Sequence, residues 1–116
     1  MSRIFICSPF AAKTKEQQDL NVLIAQAMCR KALFEGHAPY APHLIYPQML
    51  DDNKVEQRNL GLRAGQEFMK VCDKVWQFSE VMSEGMKSDL RSHGGKTELI
   101  SLKDLEPHIA VIKQGS

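Results

Sequence analysis

The sequence predicts one three-layer α/β domain, a small parallel sheet of four to five strands with helices on both faces. Three observations predict it. Short β-branched and aromatic runs alternate with longer stretches of helical periodicity. Each helical stretch lies between two strand-like runs, so the strands must run parallel and be joined by right-handed crossovers. The length of 116 residues fits a single hydrophobic core, so residues 1–116 are read as one domain.

The elements follow in order. Ile4-Phe5-Ile6-Cys7 is a short apolar run ended by Ser8-Pro9, the pattern of a strand buried on both faces. Thr14-Lys15-Glu16-Gln17 matches a capping box, and Leu20, Leu23, Ile24, Ala27, Met28 and Ala32 then recur at helical spacing until Gly36, which predicts a helix over 15–35. Ala38–Ala41 is a weak second strand. The stretch Pro42–Leu50 carries apolar bulk without periodicity, as functional loops often do. Asn53 is a cap candidate for a second helix, with Leu60, Ala64, Phe68 and Val71 as its expected inner face. Lys74–Phe78 reads as the third strand, with Trp76 and Phe78 assigned to packing. Ser83 caps an expected third helix that Gly94-Gly95 stops. Glu98–Leu102 is the expected fourth strand. Pro107 and the alternation in His108–Ile112 point to an edge strand or flexible tail over 108–116. The winding is flavodoxin- and Rossmann-like.

Charge and cysteine content narrow the function. Fifteen basic against fourteen acidic residues leave a formal charge of +1, so neither duplex nucleic acid nor a membrane is an expected partner. A small molecule is. Cys7, Cys29 and Cys72 form no CxxC pair and the four histidines have no ligand spacing, which argues against a disulfide framework and against a metal site. No cofactor is expected. The apolar run at the N-terminus is too short for a signal peptide or a membrane helix, so the expected location is the cytoplasm.

In parallel α/β sheets ligands bind beyond the carboxyl ends of the strands. Those ends carry Cys7–Lys13, Ala41–Asp52 and Ser79–Lys87. Ser8, Pro9, Phe10 and Lys13 offer a hydroxyl, an aromatic ring, backbone amides and a cation. His43, Met49 and Asp51 stand on the second rim segment. Ser83, Gly85 and Met86 open the expected third helix, where free amides and the helix dipole favour a hydroxyl-rich or anionic ligand. Asp89 lies within two turns of that opening, placed to act as a nucleophile or to accept from a sugar hydroxyl. Neither GxGxxG nor GxxxxGK[ST] is present, so the dinucleotide fingerprint and the P-loop are missing.

Five segments then carry a resemblance: Ile4–Phe10, Ala41–Leu44, Pro47–Asp52, Cys72–Trp76 and Ser83–Met86. In that order, over about residues 3–100, the chain resembles an uncharacterised bacterial and phage branch of the nucleoside 2-deoxyribosyltransferase-like superfamily. Deoxynucleoside 5′-monophosphate N-glycosidases also belong there. The resemblance implies cleavage of the bond between a base and deoxyribose by a glutamate nucleophile on the third helix. Ser83, Gly85 and Asp89 occupy the places of that motif here, with aspartate one methylene shorter than glutamate. Gly65 stands where the glycosidases carry an aspartate directed at the base, and Phe10-Ala11-Ala12 replaces a Tyr-Arg-Gly type sequence, leaving Lys13 as the nearest cation.

Three functions follow. The first is an N-glycosidase or deoxyribosyltransferase, in which Asp89 attacks C1′, Ser8 or His43 holds the sugar or its phosphate, and Phe10 stacks on the base. The second is a non-catalytic binder of a nucleotide or an ADP-ribose-like signal, which suits a phage or bacterial defence setting. The third is a protein-interaction module with a degenerate pocket. Homo-oligomerisation is a further expectation from the resemblance, with Ile109–Ile112 as the candidate contact.

Overall fold

The computed structural model describes residues 1–80 and 96–115. Its first strand, β1 (Arg3–Cys7), is the hub of the sheet. Ile4, Phe5, Ile6 and Cys7 are all fully buried, as an apolar run without polar alternation requires when both faces are covered. On one side β1 pairs with β2 (Ala38–Tyr40), on the other with β3 (Lys74–Phe78), and β3 pairs with β4 (Lys96–Ile100). Every pairing is parallel and the order is β2-β1-β3-β4. Asp73 locks the start of β3 to β1, its carboxylate accepting from the Arg3 amide at 2.7 Å while its own amide donates to the Arg3 carbonyl. Pro39 is tolerated in β2 because that strand lies at the edge, where a missing N–H leaves no ladder bond unmade.

The expected helix over 15–35 forms as α1 (Lys15–Phe34). The Thr14 hydroxyl caps it, accepting from the Gln17 amide at 3.1 Å. The reciprocal half of the expected capping box does not form, because the Gln17 side chain donates forward to Asn21 instead. Gly36, at φ +83°, ends the helix. The His37 and Gly36 amides return to the Ala32 and Leu33 carbonyls, a closure that needs a left-handed residue and so favours glycine.

The irregular stretch 42–50 is more ordered than its composition implied. It forms a one-turn helix α2 (Pro42–Ile45) and a 3₁₀ turn (Tyr46–Gln48). Pro42 occupies the first helical position, where its missing N–H costs nothing. The next helix, α3 (Val55–Met69), follows a cap that is not Asn53. Lys54 holds the cap position without a side-chain bond, while Gln57 reaches back to the Asp51 amide at 2.6 Å. Its inward face also differs from expectation. Leu60, Phe68 and Val71 are exposed, and the buried positions are Gly65 and Met69. At Gly65 a Cβ would lie 3.9 Å from the Phe5 ring and from Pro42.

The largest correction is at the C-terminus. Residues 108–114 are neither edge strand nor tail but part of α4 (Leu102–Gln114). Ser101 and Asp104 form a reciprocal capping box, with bonds of 3.2 and 3.0 Å. Hydrogen bonding from Ser101, its backbone amide first, holds the Asp104 carboxyl below its ordinary range. Because Ser101 turns the chain into this helix, β4 runs over Lys96–Ile100 rather than 98–102. Pro107 sits inside α4 and removes one i to i−4 bond. Packing offsets that loss: Leu105 is fully buried, Ile109 and Ile112 pack against the core, and α4 lies along α1.

Side chains assign the sheet faces. Lys31 of α1 stands 5.0 Å from the Trp76 ring centroid, whereas Phe5 meets α3 at Gly65. Alternation then directs Ile4, Ile6, Trp76 and Phe78 toward α1 and α4, and Phe5, Cys7 and Val75 toward α3. The expected three-layer α/β architecture is present, and Trp76 and Phe78 are core as expected.

Leu105 tests the placement of α4. Leu105→Ala should lower unfolding free energy by about 2–5 kcal/mol in urea titrations, the range for emptying a fully buried leucine site. A loss under about 0.5 kcal/mol, as for a surface residue, would mean that the C-terminal segment is not packed this way.

Candidate functional site

The chain leaves β1 through Ser8 and Pro9, both buried, before surfacing at Phe10 and Ala11. Two polar side chains hold this turn. The first is His43, on α2. Its Nδ1 lies 3.4 Å from the Ser8 hydroxyl oxygen, and its ring faces Phe10 with centroids 5.0 Å apart and planes tilted by 35°. Burial pushes the imidazole below its ordinary pKa, against the opposing effects of its hydrogen bonding to Ser8 and the Asp52 carboxylate. It is therefore neutral at neutral pH, able to donate from one nitrogen and accept at the other.

The second is Asn21, in the second turn of α1 and 3% exposed. Its amide nitrogen donates to the Phe10 carbonyl at 3.2 Å and to the Ala11 carbonyl at 3.3 Å, and its oxygen accepts from Gln17 at 2.9 Å. The carbonyls of this turn are left without ladder partners where the strand ends. Asn21 supplies them, fixing the path of the loop over the end of β1.

Around this turn lies a hollow of about 510 Å³. The loop contributes Pro9, Phe10, Ala11 and Ala12 to its wall. Helix α1 contributes Gln18, Asn21, Val22 and Ala25, which share one face at three- and four-residue spacing. His43, Pro47, Asp52 and Asn53 close the opposite side. The wall combines apolar surface with a few amide, imidazole and carboxylate groups, the composition of small-molecule sites. Its volume is in the range of such sites.

Of the expected site residues, Pro9, Phe10 and His43 line the hollow. Ser8 does not. It is fully buried, with its hydroxyl 3.4 Å from His43 Nδ1. Lys13 and Met49 are exposed and outside the wall. Asp51 shapes the turn, accepting from the Asn53 amide at 3.0 Å, and its neighbour Asp52 is the carboxylate at the hollow. Ser83, Gly85, Met86 and Asp89 lie outside the described residues. Two of the three expected rim segments thus converge. Of the third, Ser79 and Glu80 are described: the Ser79 amide donates to Ile100 and the Glu80 carboxylate accepts from the Leu102 amide. Gly65 is at the α3 packing surface and not in the wall.

Sequence reasoning missed the contribution of α1. A signal existed in Gln17, Gln18 and Asn21, a polar group near the start of an otherwise apolar helix face. Among the described residues no cluster of three metal-ligating side chains occurs, and no helix is long and apolar enough to cross a membrane.

The architecture is thus that of a parallel α/β domain with a hollow over the carboxyl end of its central strand. Residues 2–100 match the family model described as a domain of unknown function, DUF7768, and the chain belongs to that family. Its fold is that of a 2-deoxyribosyltransferase from the psychrotolerant bacterium Bacillus psychrosaccharolyticus, a biocatalyst for nucleoside synthesis. The two superpose with a TM-score of 0.62 at 20% identity, over 86% of this chain and 72% of that one. No curated protein matches the sequence.

Two measurements check the supports of the site. Asn21→Ala removes the side-chain donor to two loop carbonyls and should cost about 0.5–1.5 kcal/mol, with faster amide exchange confined to residues near Phe10. Uniform exchange across the protein would argue against a local role. The second is pH. Burial lowers the pKa of His43 and, with nearby Arg30 and Lys31, that of His108, so below about pH 6.5 the unfolded chain takes up protons that the folded chain resists. Stability should be flat with respect to these groups above that value and fall as the pH drops through it. His43→Gln should flatten the slope below about pH 6.5; an unchanged slope would mean that the imidazole is not held neutral.

Proposed function

We propose that the protein binds a nucleoside or nucleotide in the hollow over β1 and breaks or exchanges its N-glycosidic bond. One observation carries the binding half: segments distant in sequence meet around about 510 Å³, at the sheet end where α/β proteins hold their ligands. In this reading the base lies against Phe10 and the apolar wall, and the neutral His43 imidazole and the Gln18 amide meet sugar or base polar atoms. The likeness to a 2-deoxyribosyltransferase supports the ligand class as an analogy of fold.

The chemical half rests on the sequence motif of Ser83, Gly85 and Asp89. A carboxylate oxygen of Asp89 forms a bond to C1′ as the C1′–N bond breaks. The bond's electron pair leaves with the base, which takes up a proton. Water, or a second base in an exchange reaction, then attacks C1′ and frees the carboxylate. A second reading, binding without turnover, is favoured by Gly65, which is buried against Phe5 and Pro42 and supplies no acid toward a base. Assembly into homo-oligomers is part of the same proposal. In the candidate contact, Ile109 and Ile112 are partly buried against the core of their own chain and Val111 is exposed.

The test is incubation with deoxynucleosides, deoxynucleotides and NAD, followed by chromatography for free base. The first reading expects base release that Asp89→Ala lowers by at least about 10²-fold, the scale of misplacing a reacting group by 1 Å. Release unaffected by Asp89→Ala would remove the assigned nucleophile. Ligand-dependent rises in Tm without release would select the second reading.

A further inference from the structure

The flank of α3 over the sheet edge at β2 is half-exposed. Leu60, Ala64, Phe68 and Val71 recur at spacings of four, four and three residues, so they form one stripe along the helix. A stripe of this kind ordinarily marks a buried face, yet Leu60, Phe68 and Val71 are 51%, 48% and 52% exposed. Phe68 fixes where the stripe lies. Its ring stacks on Tyr40 of the edge strand β2, with centroids 4.4 Å apart and planes tilted by 18°. Strands β3 and β4, and with them the ends of the segment that connects them, lie on the other side of β1. The surface beside the stripe is already tied together: the Tyr40 hydroxyl donates to that of Tyr46 at 2.5 Å, and Gly61 keeps the helix close to the same turn.

The charges next to the stripe indicate what covers it. Glu56, Arg63, Glu67 and Lys70, all exposed, form the neighbouring row and alternate in sign. Reversed, the row reads lysine, glutamate, arginine, glutamate. An antiparallel copy of the helix therefore sets Glu56 opposite the partner's Lys70 and Arg63 opposite the partner's Glu67, so every charge meets one of the other sign. The same two-fold places Leu60 against the partner's Phe68 and Ala64 against itself, a small side chain where the helices come closest. A parallel copy would face the row with Gln57 and Gly61, which carry no charge. Glu67 and Lys70 already pair within the chain at 2.8 Å, but both are well exposed, and such a pair gives up its partner at little cost.

We propose that α3 pairs with α3 of a second copy of this chain, antiparallel and related by a two-fold axis at Ala64. The inference rests on the homo-oligomer in the proposed function, gives it a surface on α3 instead of at Ile109–Ile112, and is independent of what the hollow binds. The contact reaches toward the hollow all the same. Gln57, opposite the partner's Val71, also accepts from the Asp51 amide, next to the Asp52 and Asn53 that close one side of the wall.

Sedimentation velocity on the full chain, from about 1 to about 200 μM, tests the pairing. A dimer should form with a dissociation constant on the order of 10 μM, as suits a contact at the small end of stable interfaces. Leu60→Glu should remain monomeric over the whole range, with the Tm of the dilute protein unchanged because Leu60 is half-exposed in its own chain. Arg63→Glu should weaken the dimer by roughly tenfold, and adding Glu67→Arg should restore it, since the exchanged charges are again opposite in sign. A monomer at every concentration, a dimer that survives Leu60→Glu, or a double variant no tighter than Arg63→Glu alone would overturn the inference. Base release and ligand-dependent Tm report on the hollow separately. Their absence from a protein that dimerises as described removes the nucleoside reading and leaves the contact standing.

Discussion

The organisation of this protein depends on the burial of one strand from both sides. Ile4 to Cys7 have no exposed surface, and their backbone is bonded to β2 on one edge and β3 on the other. Full burial of large apolar side chains contributes about 1.5–3 kcal/mol each, so this strand cannot shift register without a large loss. A fixed strand has a fixed end. Everything at the hollow is built outward from the point where β1 stops at Cys7 and the chain turns through Ser8 and Pro9.

Buried polar groups convert that fixed end into a shaped site. Ser8 is enclosed completely and finds its side-chain partner in His43, which the proline-started turn of α2 delivers from the far side of β2. Asn21 answers the carbonyls of Phe10 and Ala11. Both bonds come from a side chain that is itself buried, so they tie the half-exposed loop to α1. Three elements are thereby tied together by side chains that do little for the hydrophobic core. This is the expected separation between a scaffold that supplies stability and a rim that supplies chemistry.

Much of the fold was legible because periodicity and burial report the same physics. β1, α1 and β3 matched their expected ranges closely, since each has an unambiguous pattern and a clear stop signal. α3 was legible in extent but not in orientation. Leu60, Phe68 and Val71 share a helical face by spacing, yet Gly65 and Met69 are the buried residues of the helix, and Phe68 stays half-exposed while stacking on Tyr40 of β2. α4 was misread because Pro107 and a short alternation outweighed Ser101-Leu102-Lys103-Asp104, a capping sequence in plain view. Proline in a helix costs one bond and some strain. Burial of Leu105 between α4 and the core outweighs it, and burial is not visible in a single sequence.

The sequence by itself determined the α/β rhythm, a first strand buried on both faces, and two of the segments that would meet at its carboxyl end. Those follow from local chemistry, in which β-branching, capping and glycine stops act over a few residues. Only the tertiary structure decided that Ser8 is a buried support, that Asp52 and not Asp51 faces the hollow, and that one face of α1 forms a wall. Each of those outcomes depends on which way a side chain points once segments far apart in sequence are packed together. A shift of one residue along a turn or a helix reverses that direction without changing composition.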